Sequence, residues 1–479
     1  MENGLSKKYG LLTAIAMVVG IVIGSGVFFK AEKVLNATGG NLKIGILAWA
    51  IGGIIMVVCA YTFALMATKW EYVNGIVDYA EVTMGKKYGY YIGWFMATIY
   101  LPTLTSVLAW VSARYTCVLF GWSIVGSEAL AIAAFYLIMS YAMNALSPVI
   151  AGKFQVSTTI IKLVPLILMA VVGTIAGLSN GMIAQNFSAA SIVEAKDTGT
   201  ALFTAVCATS FAYEGWIIAT SINAELKDSK KNLPKALVGG TLIVMAVYIL
   251  YYVGLSGAVT NAELMASGEA GAKTAFSTLF GNIGGTLLSV LVVISCLGTL
   301  NGLMLGCVRG MYALSARKEG PSPETFKQVD KTTNMPTNSS IIGLALCGLW
   351  LLFFFGAQLT APWFGPYFSF DSSEIPIITL YAMYIPIFIS FMKKEKELSP
   401  FKSKVMPALS ICGCIMMVIA AIYSHKLACI GYLVVFAVFM LVGYAFRNKS
   451  GDNTIAALGA DGVDANVEAV EEIVEAVEK

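Results

Sequence analysis

Apolar residues along this chain run in long blocks. Many are close to the ~20 residues that a helix needs to cross the hydrocarbon layer of a bilayer. Twelve blocks are predicted to span, at about 11–34, 42–68, 88–120, 127–146, 154–178, 200–223, 235–258, 282–315, 339–358, 373–392, 405–424 and 428–446. Charge sits between the blocks, and unevenly. With the N-terminus on the cytoplasmic side, Lys and Arg favour the inner joins over the outer ones by about three to one, satisfying the positive-inside rule. Both termini are then cytoplasmic. The expected layout is a short N-terminus over 1–10, a transporter domain over 11–447, and a tail over 448–479.

Composition agrees with this pattern. The 479 residues are 58% hydrophobic and 12% charged, whereas soluble domains carry about a quarter charged residues. Half that density leaves too little polar surface to clothe a water-soluble fold. The first block, from about Leu11, is longer than a signal-peptide core, and no small-residue cleavage site precedes the next block, so it is expected to be retained. The tail is different in character. It holds eight acids and no aromatics, and is expected to be largely disordered, or to end in a short amphipathic helix on Val467, Val470, Val474 and Val477.

Several function classes are argued against by what the chain contains. No phosphate loop suggests ATP drive, and no basic, aromatic-interleaved patch suggests nucleic acid. No repeated ring of charged or carbonyl-rich filter sequence suggests a channel. The nine cysteines lie almost all inside apolar blocks, where small buried hydrophobes are the expected reading. Cys412 and Cys414, two apart, splay around a helix, and His425 is the only histidine. The expectation is therefore no cofactor, no metal centre and no Ser-His-Asp hydrolase. The remaining class is a secondary carrier of a small solute.

Three places inside the blocks carry candidate chemistry. The first block contains GIVIGSGVFF, with Gly24-Ser25-Gly26 at its middle. Two glycines flanking a serine weaken a helix, and freed backbone N–H groups in hydrocarbon need a partner. A bound carboxylate would serve, because the following half-helix points the positive end of its dipole there. Close helix packing on small residues explains the same motif, and the motif alone leaves both open. The sixth block is interrupted by Phe211-Ala212-Tyr213-Glu214-Gly215, and Glu214 is the only acid placed at hydrocarbon depth. Interruptions at corresponding positions of two five-helix halves point to the midplane site of an inverted-repeat transporter. Lys162 in the fifth block is a second intramembrane charge, about eight residues or two turns from the nearer end. It is either functional or a snorkelling side chain.

Taken together, these segments resemble the amino acid–polyamine–organocation superfamily, and within it the L-type amino-acid transporter family. GSGVFF is similar to the signature of the unwound first helix, FAYEGW with ELKDSKKNLPKAL to the sixth helix and its loop, and SCLGTLNGLMLGCVRGMYALSARKEGPSPETF to the eighth helix. Lys162 in KFQVSTTIIKL falls at that family's fifth-helix lysine. The resemblance covers roughly 10–445 and is closest to bacterial members that exchange serine, threonine or alanine. It implies an all-α LeuT-type fold with a 5+5 inverted repeat and broken helices 1 and 6. It also implies sodium-independent exchange of neutral L-amino acids by alternating access in a bacterial cell membrane.

Carried onto this sequence, the resemblance implies that the substrate carboxylate meets the amides of Ser25 and Gly26. The amino group meets carbonyls near Val22, and of Phe211 and Glu214. Val22, Ile23, Gly24, Ser25, Gly26, Phe211, Ala212, Tyr213 and Glu214 make up the binding segment. Phe211 is the outer gate, and Lys162 bridges helix 5 to helix 1 where sodium-coupled relatives hold an ion. Two departures matter. Glu214 stands where animal members often have glycine, which keeps an exporter of a cationic amino acid or amine open as the alternative. The loop Gly121 to Glu128 lacks the cysteine that tethers animal members to a heavy chain, so no such partner is expected. The expected partners are the amino acid and membrane lipid.

Overall fold

The computed structural model describes residues 10–447, except 25, 71–74, 147–149, 152, 153, 155, 156, 159, 160, 219, 221–225, 334 and 360. The acidic tail and Ser25 therefore lie outside the described residues. Among the described residues the chain is helical, without a β-strand. It opens with α1 (Leu11–Val22) and α2 (Gly26–Ala37), followed by α3 (Leu42–Lys69), α4 (Ile76–Met84), α5 (Lys86–Phe120) and α6 (Ser127–Leu146). Next come α7 (Leu163–Ser179), α8 (Met182–Asn186), α9 (Thr198–Ala212), α10 (Ser229–Ala258), α11 (Asn261–Ser267) and α12 (Gly271–Ala316). The last are α13 (Pro323–Phe326), α14 (Thr337–Gln358), α15 (Gly365–Phe368), α16 (Ile375–Lys394), α17 (Phe401–His425) and α18 (Ala428–Phe446).

By length and composition, nine helical stretches among the described residues can cross a membrane, with α11 and α12 counted together. The pair α1 and α2, inclined at 53°, makes a tenth if it is one bent span. The other two predicted blocks appear as the shorter apolar helices α7 and α9. The chain is thus a multi-pass membrane protein. Apolar side chains such as Leu12, Leu146 and Ile283 stand exposed on the bundle surface, where lipid solvates them at no penalty.

Small residues set the helix spacing. A Cβ at Gly257 would lie 2.2 Å from the Gly173 carbonyl oxygen, and one at Gly254 2.2 Å from that of Met169, so α10 and α7 touch backbone to backbone. Gly281, with φ at +73°, bends α12 and separates its first turns from the long spanning part. In α5 the helix widens over Met96–Tyr100 just before Pro102. Proline has no N–H for the Thr98 carbonyl, and that oxygen accepts instead from Trp350 Nε1 at 3.0 Å. The widened turn carries Tyr100 into the centre of the bundle, where it is fully buried.

Candidate functional site

The end of α1 leaves carbonyls that no continuing helix satisfies. After Val22 the backbone turns extended at Ile23, with ψ at 104°. Other helices supply the missing partners. Lys162 Nζ donates to the Gly20 carbonyl at 2.5 Å, and Tyr248 OH donates to that of Val22 at 3.2 Å. A Cβ at Gly215 would come within 3.3 Å of the Ile21 oxygen. Gly24 faces α12, where a Cβ would lie 3.0 Å from Thr299 Oγ1. Gly26, which opens α2, faces the last turn of α9, where a Cβ would lie 2.5 Å from the Ala212 Cα. No residue but glycine fits that crossing.

The second interruption meets the first. Helix α9 stops at Ala212, the Tyr213 amide bonds back to Thr209 O at 3.1 Å, and the chain turns over 213–217. Gly215 has φ at +103°, a conformation that L side chains rarely adopt. The N-terminal end of α2 and the C-terminal end of α9 therefore sit side by side. One end exposes amides and the other exposes carbonyls.

The side chains around these breaks divide into two groups. Tyr213 belongs to the packing: its hydroxyl donates to the Trp49 carbonyl at 2.8 Å, and its ring lies against Trp49 and Tyr248. Glu214 is buried and accepts from Tyr100 OH, with Tyr381 and Tyr384 close by. No basic side chain forms an ion pair with it among the described residues. Glu214 and Lys162 thus have separate partners.

Phe211 lies under a lid of charge. Its ring meets Phe29 edge to face at 6.0 Å, and Lys30 Nζ stands 5.6 Å from its centroid. Lys30 is fully buried and bonds both Glu374 and Ser373 Oγ. Glu374 Oε2 lies 3.0 Å from His425 Nε2, and Lys33 pairs with Asp371 at 3.2 Å. Burial opposes ionising Asp371, but Lys33 and Lys30 outweigh it and hold its carboxyl below the ordinary carboxylate range. On the opposite side, beyond the second break, a cavity of about 290 Å³ runs past Ile217, Ile218, Gly310 and Arg309 to Arg317. Arg317 ties the end of α12 to Asp78 and Glu81 of α4. Ion pairs thus close over Phe211 on the Lys30 side, where a cavity of about 430 Å³ lies outside them, and the Arg317 side carries the cavity of about 290 Å³.

The amino acid permease family model matches residues 9–446 of this chain. The chain belongs to the amino acid permease family. It is 32% identical over 439 residues to the serine/threonine exchanger SteT of Bacillus subtilis (strain 168), covering 89% of this chain and 94% of that one. It is 25% identical to the human cystine/glutamate transporter, covering 90% and 83% of the two chains. It is also 25% identical to the human b(0,+)-type amino acid transporter 1, covering 93% and 90%. These relatives are transporters, and this permease is an amino acid transporter rather than an enzyme.

Of the residues named from the sequence, Val22, Ile23, Gly24, Gly26, Phe211, Ala212, Tyr213, Glu214 and Lys162 gather around the meeting of the two breaks in the permease. Ser25 lies outside the described residues. Sequence reasoning missed Tyr100, Tyr248 and Thr299, which hold or face the break segments, and Glu374, which holds Lys30. The tyrosines and the threonine carry no local signal, since nothing beside them in the sequence distinguishes them from other membrane-buried hydroxyls. Glu374 stood at a block boundary, where a charge draws no notice.

Proposed function

We propose that this permease exchanges neutral L-amino acids, without sodium, by alternating access in a bacterial cell membrane, with both termini cytoplasmic. The observation that carries the reading is the side-by-side placement of the two helix ends. Amides at the start of α2, from Gly26 onward, offer donors to a carboxylate, and the reading adds the Ser25 amide from the sequence. The last carbonyls of α1 near Val22, that of Phe211 in α9 and that of Glu214 in the turn after α9 offer acceptors to an ammonium. Those groups would grip an amino-acid zwitterion by its backbone, and the side chain would then choose among substrates. Lys162, seated on the end of α1, supports sodium independence because a fixed cation stands where a bound Na⁺ would otherwise join helices 5 and 1. Phe211 is the outer gate, with the Lys30–Glu374 pair above it and the Arg317 side facing the cytoplasm.

The wider architecture is part of the same reading. Residues 11–447 form twelve spans in a 5+5 inverted repeat whose helices 1 and 6 are each broken, between α1 and α2 and after α9. Residues 448–479 are a separate acidic cytoplasmic tail. The absence of cysteine in the 121–128 loop supports a stand-alone carrier. Export of a cationic amino acid or amine is the second reading, favoured by the presence of Glu214. Tyr100 holds one oxygen of its carboxyl, while Oε2 is buried with no hydrogen-bond partner among the described residues, and competition between alanine and amines decides between the two readings.

Purified permease in liposomes preloaded with unlabelled amino acid tests this by counterflow. Serine and threonine come first in the screen, since the Bacillus relative is named for exchanging them. Uptake should be equal in choline and sodium buffers and should be competed by alanine. Amino-acid esters, which lack the carboxylate, should compete poorly. Competition by putrescine or agmatine in place of alanine would reject the neutral reading.

A further inference from the structure

We propose that Cys207, Glu374 and His425 form a transition-metal site, suited to Zn²⁺, whose occupancy holds the outer side of the permease closed. The three residues come from three elements: Cys207 from α9, Glu374 from the residue before α16, and His425 from the last position of α17. Their donor atoms converge. Glu374 Oε2 is 3.0 Å from His425 Nε2 and 3.3 Å from Cys207 Sγ, and Cys207 Sγ is 3.5 Å from His425 Nε2. Zinc bonds of ~2.0–2.3 Å at tetrahedral angles place such donors ~3.3–3.5 Å apart. The triangle therefore matches one face of a zinc tetrahedron after shifts of a few tenths of an ångström. Thiolate, imidazole and a single carboxylate oxygen also suit Zn²⁺ far better than Mg²⁺ or Ca²⁺, which take oxygen ligands.

The surroundings fit a bound ion. Lys30 holds the other oxygen of Glu374, Oε1, which leaves Oε2 aimed at the histidine and the thiol. Outer partners of this kind orient a metal ligand. A polar cavity of about 430 Å³, lined in part by Glu374, Ser424, His425 and Asp371, gives an entry path and room for a fourth ligand from solvent. The Lys30 ammonium nearby repels a cation, so the site belongs with reversible regulatory sites rather than tight structural ones.

The consequence for transport follows from where the ligands sit. Cys207 is one helical turn before Phe211 on α9. A metal joining α9 to α16 and α17 ties the gate-bearing helix to two neighbours and reinforces the Lys30–Glu374 pair. Outward opening must separate at least some of these elements, so a bound metal stops the cycle with the outer side shut. This last step rests on the alternating-access reading above, whereas metal binding does not.

The test uses the full-length permease. In detergent, Co²⁺ serves as a spectroscopic substitute for zinc and should give a thiolate charge-transfer band together with the visible bands of four-coordinate cobalt. Both Cys207→Ser and His425→Gln should lose them, and Cys412→Ser, at an exposed cysteine, should keep them. In liposomes, micromolar Zn²⁺ added outside should inhibit exchange, EDTA should reverse it and Mg²⁺ should do nothing. Inhibition is read against each variant's own metal-free rate. Loss of one ligand should raise the half-inhibitory Zn²⁺ concentration at least ~10-fold. No cobalt band in the wild type, the same band in Cys207→Ser and His425→Gln, or exchange insensitive to Zn²⁺ would each overturn the proposal. If no neutral amino acid is exchanged while the cobalt band appears and depends on both residues, the substrate reading fails and the metal site stands.

Discussion

Gly26 offers the sharpest test of the binding geometry. A Cβ there would lie 2.5 Å from the Ala212 Cα and 3.1 Å from its Cβ, whereas carbon atoms in contact settle at ~3.5–4.0 Å. Gly26→Ala must therefore push α2 and α9 apart by about 1 Å or more. The obstacle is backbone, so no rotamer change relieves it. Overpacking of this kind costs about 1–3 kcal/mol, which a bundle of this size survives, so the variant should insert and purify. The displacement falls between the amides and carbonyls proposed to hold the two ends of the zwitterion. Misplacing reacting groups by 1 Å reduces enzyme rates by ~10²-fold, and a loss of that order in exchange is expected here. Gly26→Val should abolish exchange.

Two controls separate this from general damage. Gly24→Ala meets Thr299 Oγ1 at 3.0 Å, the end of a side chain that can turn away. Its loss should be small and should be recovered by adding Thr299→Ala. Ala212→Gly should fail to rescue Gly26→Ala, because the closest contact is to a Cα that remains. Counterflow in liposomes, matched for inserted protein, measures all five variants. Normal exchange by Gly26→Val, or rescue by Ala212→Gly, would refute the reasoning.

Lys162→Gln should lose most exchange, since it removes the charge seated on Gly20 O, and wild-type uptake should be the same in choline as in sodium; a strict Na⁺ requirement would remove the role given to Lys162. Removing one partner of the buried Lys30–Glu374 pair should cost about 3–5 kcal/mol, read as a fall in melting temperature, and Lys30→Met with Glu374→Leu together should cost less than either alone. Asp371 is held below its ordinary value of ~3.9, so the stability it contributes is fully present above that value and is lost as pH falls through the lower folded-state value; unfolding followed from neutral pH downward should show no Asp371-dependent loss until below pH ~4. Glu214→Gln can still accept from Tyr100 and should keep a pH profile of exchange parallel to the wild type; a flat profile in the variant, against a sloping one in the wild type, would show that Glu214 titrates during the cycle and would favour the amine reading.

What could be read from the sequence was local in origin. Block length and the scarcity of charge report directly on the solvent around each segment, so membrane character and most helices were legible. Gly24, Gly26 and Gly215 weaken a helix wherever they stand, so helix ends near them, at Val22 and Ala212, were legible, and Lys162 and Glu214 stood out because charge is rare in such blocks. Composition could not say what these groups touch. Lys162 reaches Gly20 across 142 residues, Tyr100 reaches Glu214 across 114, and Lys30 reaches Glu374 across 344. The same limit explains why a metal was not expected. His425 is the only histidine, and the Cys207 and Glu374 that meet it lie 218 and 51 residues away in the chain. Periodicity specifies which face of a helix is apolar. In a bundle whose helices are apolar nearly all round, it does not specify which helix lies beside which. That choice is made by backbone contact at small residues, such as Gly26 on Ala212 and Gly257 on Gly173, and it brings the distant side chains together.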